Sequence, residues 1–476
     1  MVKFKISHHI NLNSLEGVPH LRQYSVELVL LITGYLLFFA LQILILLTNL
    51  VRSDLIFEII FFVPFGVYII AIFLLRRIYS ENISKNVTRN ILPIVLGYAI
   101  LFQIIILSTQ VSLSDDIFRF FYEGKAIAHG INPYIIPIND FPDYLKDNYI
   151  DQVNHAHITS PYPPLALLLF TVLYLISEDL FIFRFCFSFG FIVSILVCYK
   201  LIASKNKWML IVYAWNPLFH LETANGSHFD VIVVLFVMLA VWCLFSDRLA
   251  GAGVFFLISF LLKYYPIFFV IVYWKQLGKR GLGIFVSGLV FYVIFILLVP
   301  EASSGLLIYA EAWYFNASIF WVMTQITNDF FISKIILGGI FVLLLCIVAL
   351  KSSKESIASP NKALLIIAAF ILFQPTLHPW YLFWLFPFVL LDKNPNFSWI
   401  LLTGAIILSY HVYIAYSVTH MWIELDVFRL IEYIPFYIYF FIERRALVLE
   451  FNLYAKERIQ NLIRSQIPNF MKFLET

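Results

Sequence analysis

The sequence predicts an all-α fold: a polytopic transmembrane bundle of about fourteen helices, with a large extracytoplasmic first loop carrying juxtamembrane helices. Three observations lead there. The 476 residues are 62% hydrophobic and only 13% charged, more apolar surface than one water-soluble core can hide. Uninterrupted apolar runs able to cross ~30 Å of hydrocarbon recur at residues 26–50, 181–199, 230–245 and 335–350. Those runs lack the polar and apolar alternation of barrel strands.

Charge orients the bundle. With the N-terminus placed in the cytoplasm, 24 of the 32 Lys and Arg residues fall on that side, leaving Arg52, Arg119, Lys125, Lys146, Arg184, Lys263, Lys334 and Arg429 outside it or within the membrane. Two stretches must then differ from simple crossings. Residues 164–176, "PLALLLFTVLYLI", are expected to form an interfacial or re-entrant helix, because a crossing there would put Lys200 to Lys207 outside. Residues 250–274 are expected to split at Lys263 and Pro266 into two short helices meeting near the outer face. The first 25 residues are polar for too long to be a secretory signal, so the first apolar helix is expected to be retained. Cys186, Cys198, Cys243 and Cys346 all sit in apolar runs and read as packing residues. A net charge of +3 gives no reason to expect nucleic acid. Membrane lipid is the surrounding partner.

The polar islands carry the chemistry. In "SDDIFRFFYEGKAIAHGINPY", residues 114–134, Asp115 and Asp116 follow an apolar run and precede a helix with Ile117, Phe120, Phe121 and Ala128 spaced for the membrane interface. One acid suffices as a helix cap. A partly desolvated pair raises the pKa of one member, which suits a general base. In "NPLFHLETANGSHFD", residues 216–230, helix starting and capping explain Pro217, Gly226 and Asp230, but not His220, Glu222 and His228 at the edge of hydrocarbon. Lys263 either snorkels to the interface or faces inward, where it must hold an anion. In "QPTLHPWYLFW", residues 374–384, Trp380, Tyr381 and Trp384 are ordinary interfacial aromatics, and His378 is the residue needing a special account. "NHAH", residues 154–157, does not require a metal and reads as a solvated loop.

Taken in order, "DDIFRFFYEG" with "GINPY", "VNHAHITSPYPPL", "AWNPLFHLETANGSHFD", "LLKYYPIFF" and "HPWYLFWLFPF" resemble the GT-C glycosyltransferases that use polyprenyl-phosphate sugars, above all the bacterial and archaeal polyprenol-phosphate-mannose mannosyltransferases. The resemblance covers roughly residues 91–392. It implies a catalytic core over 91–392, preceded by a cytoplasmic segment and two added helices in 1–90. Further helices over 393–443 and a cytoplasmic amphipathic tail over 444–476 would follow.

The charge count places both termini in the cytoplasm, and the resemblance implies an extracytoplasmic site in the plasma or inner membrane. There a sugar, mannose first, would pass with inversion from a polyprenyl-phosphate donor to a glycan or lipid-linked acceptor. Asp116 fits the catalytic base, with Asp115 second. Lys263, His378, Arg119 and Arg184 are the candidates for the donor phosphate. Glu222, His228, Asn132, Tyr134, Tyr162 and Trp380 are the candidates for substrate. No cofactor beyond the lipid-linked sugar is implied, and a divalent metal requirement is left open. The rival reading is a transporter, flippase or polymerase of lipid-linked polysaccharide, and a transporter would show pseudo-symmetric halves with polar groups near the midplane.

Overall fold

The computed structural model describes residues 19–80, 91–352, 360–392 and 396–445. The amphipathic tail expected from residue 444 lies outside the described residues beyond 445, as does the cytoplasmic N-terminal segment before residue 19. Among the described residues the secondary structure is helical, and one parallel bridge between Phe315 and Thr376 is the sole β pairing. Among the described residues six helical spans are long and apolar enough to cross a membrane: Val26–Thr48, Leu55–Tyr79, Leu180–Leu201, Trp274–Leu298, Phe330–Leu350 and Phe397–Tyr416. Shorter apolar helices, Ile91–Leu107 and Asp230–Phe245 among them, complete the bundle.

Exposure of these helices shows what surrounds them. Beyond its basic first turns Trp274–Leu298 is apolar, yet only 11% of its most apolar window is buried, so side chains such as Phe291, Leu297 and Leu298 face outward. A greasy surface of that extent belongs against lipid. The span Phe397–Tyr416, 72% buried by the same measure, belongs to the interior.

The chain gathers one set of loops at one end. There Arg52 donates to the Leu113 carbonyl, Asn225 accepts from the Ser112 and Leu113 amides, Leu377 donates to the Phe315 carbonyl, and the Asn316 amide donates to Glu424. At the opposite end Lys207 reaches the Tyr199 carbonyl, Lys275 the Ser352 carbonyl, Lys362 the Lys351 carbonyl, and Arg444 the side chain of Asn396. Arg76, Arg77, Lys200, Arg248, Lys279 and Arg280 also follow or begin helices at that second end. Basic residues of the first end are paired instead: Arg52 with Asp115, Arg119 with Glu123, Lys125 with Asp147, and Lys263 with Asp230.

Three local features place the site. Pro164–Ile176 begins on Pro163 and Pro164, which lose no needed donor at a helix start, and at 13 residues it reaches ~20 Å, short of a crossing. The apolar run after 249 breaks as expected: Leu249–Leu262 ends at Lys263 in extended backbone, and Ile267–Val272 resumes after Pro266.

The helix Asp116–Ala128 departs from the interfacial ribbon that its apolar spacing suggests, because every side chain from Ile117 to Ala126 is buried. Its charged residues go inside because each finds a partner, Arg119 in Glu123 and Lys125 in Asp147. Gly124 makes the enclosure possible, since a Cβ there would stand 2.5 Å from the Phe170 carbonyl oxygen of Pro164–Ile176.

Candidate active site

A cavity of about 1090 Å³ opens among the loops of the first end. It lies at the upper edge of the ~300–1,000 Å³ typical of small-molecule sites. Asp115, Asp116, Arg119, Tyr162, His228, Lys263, His378 and Trp380 all line it, drawn from segments as much as 265 residues apart. Tyr309, Trp313, Phe315, Tyr381, Tyr413 and Trp422 supply much of the aromatic wall.

The two acids are held apart. Asn154 spends one amide group on both, donating to Asp115 Oδ1 at 2.9 Å and to Asp116 Oδ1 at 2.7 Å. Asp115 Oδ2 is taken by Arg52 at 3.2 Å, and that guanidinium lies over the Tyr413 ring. Asp116 Oδ2 makes no such pair and stands 3.7 Å from His228 Nδ1. Neither acid caps the helix, since Asp115 at the cap position makes no capping bond and Ser114 Oγ accepts from the Asp116 amide instead. Both acids line the cavity, Asp115 tied to Arg52 and Asp116 without a lysine or arginine partner among the described residues.

Four rings form a column beside Asp116. His228 stacks on Trp380 at 3.6 Å, Trp380 on His378 at 4.3 Å, and His378 on Phe315 at 4.8 Å. Both faces of Trp380 are thus covered, so it meets the cavity by its edge and offers no platform for a sugar ring. Burial, reinforced by His228, Lys263 and Arg52, pushes His378 well below the ordinary imidazole range. It is a neutral hydrogen-bonding group, not the cation that the sequence suggested, and its Nδ1 has no partner.

Lys263 faces inward and holds an anion. Its ammonium bonds Asp230 Oδ1 at 2.6 Å, the same oxygen accepts from Trp384 Nε1 at 2.6 Å, and the Phe229, Tyr381 and Trp384 rings each lie 5.2 Å away. Asp230, read from sequence as a helix cap, is instead the anchor that fixes the cation at the cavity wall. Two of the three ammonium protons remain for another acceptor.

Other expected ligands have different work. Arg119 lines the cavity, but Nε pairs with Glu123 at 2.9 Å, Nη1 reaches the His155 carbonyl at 3.1 Å, and Nη2 reaches the Ile158 and Thr159 carbonyls at 2.7 and 3.1 Å. It ties down the loop that presents Asn154. Arg184 lies off the cavity, its donors spent on the Ala224, Thr109 and Ile106 carbonyls at 2.7 to 3.0 Å. In both, carbonyls at helix and loop ends occupy much of the guanidinium, and in Arg119 the Glu123 carboxylate takes Nε as well.

Asn132 and Tyr134 also lie off the lining. Asn132 accepts from the Tyr134 amide and the Tyr134 hydroxyl donates to the Tyr162 carbonyl, which braces the loop. Tyr162 does line the cavity. Glu222 sits one layer behind, 3.2 Å from His228 Nε2. In the "NHAH" segment His155 and His157 are exposed, as expected of a solvated loop, while Asn154, His155 and His157 also line the cavity and His155 packs on Trp313 at 4.4 Å. Among the described residues no three His, Cys, Asp or Glu side chains gather in a way that could hold a metal ion.

An all-α bundle of apolar helices with a carboxylate-bearing, aromatic-walled cavity at one end defines the class, a polytopic membrane protein. Residues 40–276 match the family model described as alpha-(1->6)-mannopyranosyltransferase, N-terminal domain, and this match supports a mannosyltransferase. Comparison with curated proteins gave no match. The matched stretch includes Arg52, Asp116, Asn154, His228 and Lys263, whereas the wall formed by residues 305–315, 378–381 and 413–422 lies beyond it.

Proposed function

We propose that the protein transfers mannose from a polyprenyl-phosphate donor to a glycan or lipid-linked acceptor on the extracytoplasmic face, as a GT-C enzyme with about fourteen crossings and both termini in the cytoplasm. One observation carries this reading: Asp116, without a lysine or arginine partner among the described residues, and Lys263, with ammonium protons to spare, converge from distant segments on one cavity at one end of the bundle. The crowding of basic residues at the other end supports the cavity facing outward. Polar groups gathered at one end also fit an enzyme better than a transporter, whose sites lie near the midplane.

In this mechanism Asp116 accepts the proton of the acceptor hydroxyl as its oxygen attacks the anomeric carbon from the face opposite the phosphate. The bond to phosphate breaks with its electron pair on the leaving oxygen, and one displacement inverts the centre. Lys263 and the neutral His378 hold the departing phosphate by hydrogen bonds, the first charge-assisted and strengthened by the low dielectric of an aromatic wall. Tyr162 and the edge of Trp380 border the sugar. The family description makes an α(1→6) linkage the first to test. Membranes carrying the protein, incubated with labelled polyprenyl-phosphate sugars, should label a glycan or lipid acceptor with mannose in preference to other sugars. No transfer from any donor of that panel contradicts the proposal.

A further inference from the structure

We propose that His228 and Glu222 form a buried proton store for Asp116, an inference that rests on the reading of Asp116 as the base. The His228 ring spans two carboxylates, Nδ1 at 3.7 Å from Asp116 Oδ2 and Nε2 at 3.2 Å from Glu222 Oε2. Glu222 is fully buried, and its other oxygen accepts the Tyr410 hydroxyl at 2.6 Å. Among the described residues no lysine or arginine pairs with it, and Glu222 Oε2 and His228 Nε2, although 3.2 Å apart, are both buried without a hydrogen bond, even to each other. A carboxylate in that position is costly for structure alone. It is a proton acceptor waiting on one donor.

Two further features keep the arrangement open. Trp380, stacked on His228 at 3.6 Å, fixes the plane of the ring that stands between the two acids. Gly226 leaves the contact clear, since a Cβ there would stand 2.8 Å from Glu222 Oε2 and 3.1 to 3.2 Å from ring atoms of His228. Any larger residue would wedge the pair apart.

The proton balance is simple. The acceptor O–H proton passes to Asp116 as the new glycosidic bond forms and the bond to phosphate breaks. Asp116 then gives it to His228 Nδ1 while the Nε2 proton moves to Glu222 Oε2, leaving Asp116 an anion again beside the electron-poor anomeric carbon. A sub-ångström turn of the partly exposed Asp116 side chain closes the 3.7 Å gap, as catalytic contacts commonly tighten with substrate bound. After product release the shift reverses, and Asp116 delivers the proton to water in the open cavity.

Glu222→Gln tests this, because the amide keeps an oxygen for Tyr410 and the shape of the buried side chain. The variant should fold as wild type and keep the donor KM, while kcat falls about tenfold to a hundredfold, below the full effect of losing a general base. Its solvent isotope effect on kcat should differ from that of wild type. Gly226→Ala should reproduce the kcat loss with both acids present. A Glu222→Gln protein with wild-type kcat and isotope effect, or with a loss confined to donor KM or folded yield, overturns the store while leaving the transfer reaction standing. A folded wild type without mannosyl transfer overturns the function and the store with it.

Discussion

The Asn154 amide donates to Asp116 Oδ1 at 2.7 Å, and this contact sets which way the proposed base points. The same amide holds Asp115, so its loss would free two neighbouring anions to repel one another. Asn154→Ala is expected to lower kcat about tenfold to a hundredfold, the scale of a misplaced reacting group. Steady-state transfer assays should show the donor KM little changed. Asn154→Asp should do worse, since it adds a third carboxylate.

Arg119 and Glu123 predict a different kind of damage. Their side chains are 5% and 0% exposed, and together with Ser160 they lock helix Asp116–Ala128 to the loop at 154–160. Arg119→Gln leaves a buried carboxyl without its cation, a change that typically costs about 3–5 kcal/mol. Thermal unfolding in detergent should show a large drop in stability and folded yield. The surviving protein should keep a near-normal donor KM, unlike the loss expected of a phosphate ligand.

Lys263 should add a loss of donor binding to a loss of stability, since its removal leaves the Asp230 side chain, 2% exposed, without its cation. Lys263→Met removes the ammonium while retaining much of the stem that packs among Phe229, Tyr381 and Trp384. The loss of a hydrogen bond to a charged group, about 1.5–3 kcal/mol, corresponds to roughly tenfold to a hundredfold weaker donor binding. Lys263→Arg should not restore it, because the planar fork cannot occupy the place of a compact ammonium on Asp230. Donor titrations with each variant read this directly.

Asp147 links acidity to the integrity of the first loop. Burial pushes its carboxyl up, but bonds from Lys125, the Tyr122 hydroxyl and the Tyr149 amide together outweigh that and hold it below the ordinary aspartate value. A carboxyl lowered on folding contributes stability above its unfolded pKa and loses it as pH falls through the folded one. Acidification below about pH 4, the unfolded aspartate range, should therefore loosen the loop from helix Asp116–Ala128. Limited proteolysis across a pH series checks this, and Asp147→Asn should be looser already at neutral pH and less sensitive to acid.

Parts of this site were legible in the sequence and parts were not, for physical reasons. Adjacent acids after an apolar run, a lysine and proline splitting another, and histidines at the edge of hydrocarbon are all costly placements. Asp116, His228, Lys263 and His378 accordingly meet at one cavity. Asn154 was hidden because a neutral amide in a polar loop costs nothing, and the neighbouring histidines drew attention instead. Arg52 was hidden as a lone cation in a short turn, within helices set apart as an addition, although it reaches Asp115. Arg119 and Arg184 misled because a buried guanidinium gives the same signal whether carbonyls or a ligand satisfy it. Asp230 passed for a cap since capping and ion pairing both favour an acid at a helix start.

The most direct measurement compares Asp116→Asn and Asp115→Asn in membranes supplied with labelled polyprenyl-phosphate mannose. With Asp116 as the base, Asp116→Asn should lose about a hundredfold or more in transfer rate while still binding donor. Asp115→Asn, whose native partner is Arg52, should lose much less. Wild-type transfer by folded Asp116→Asn, or a greater loss in Asp115→Asn, contradicts the account.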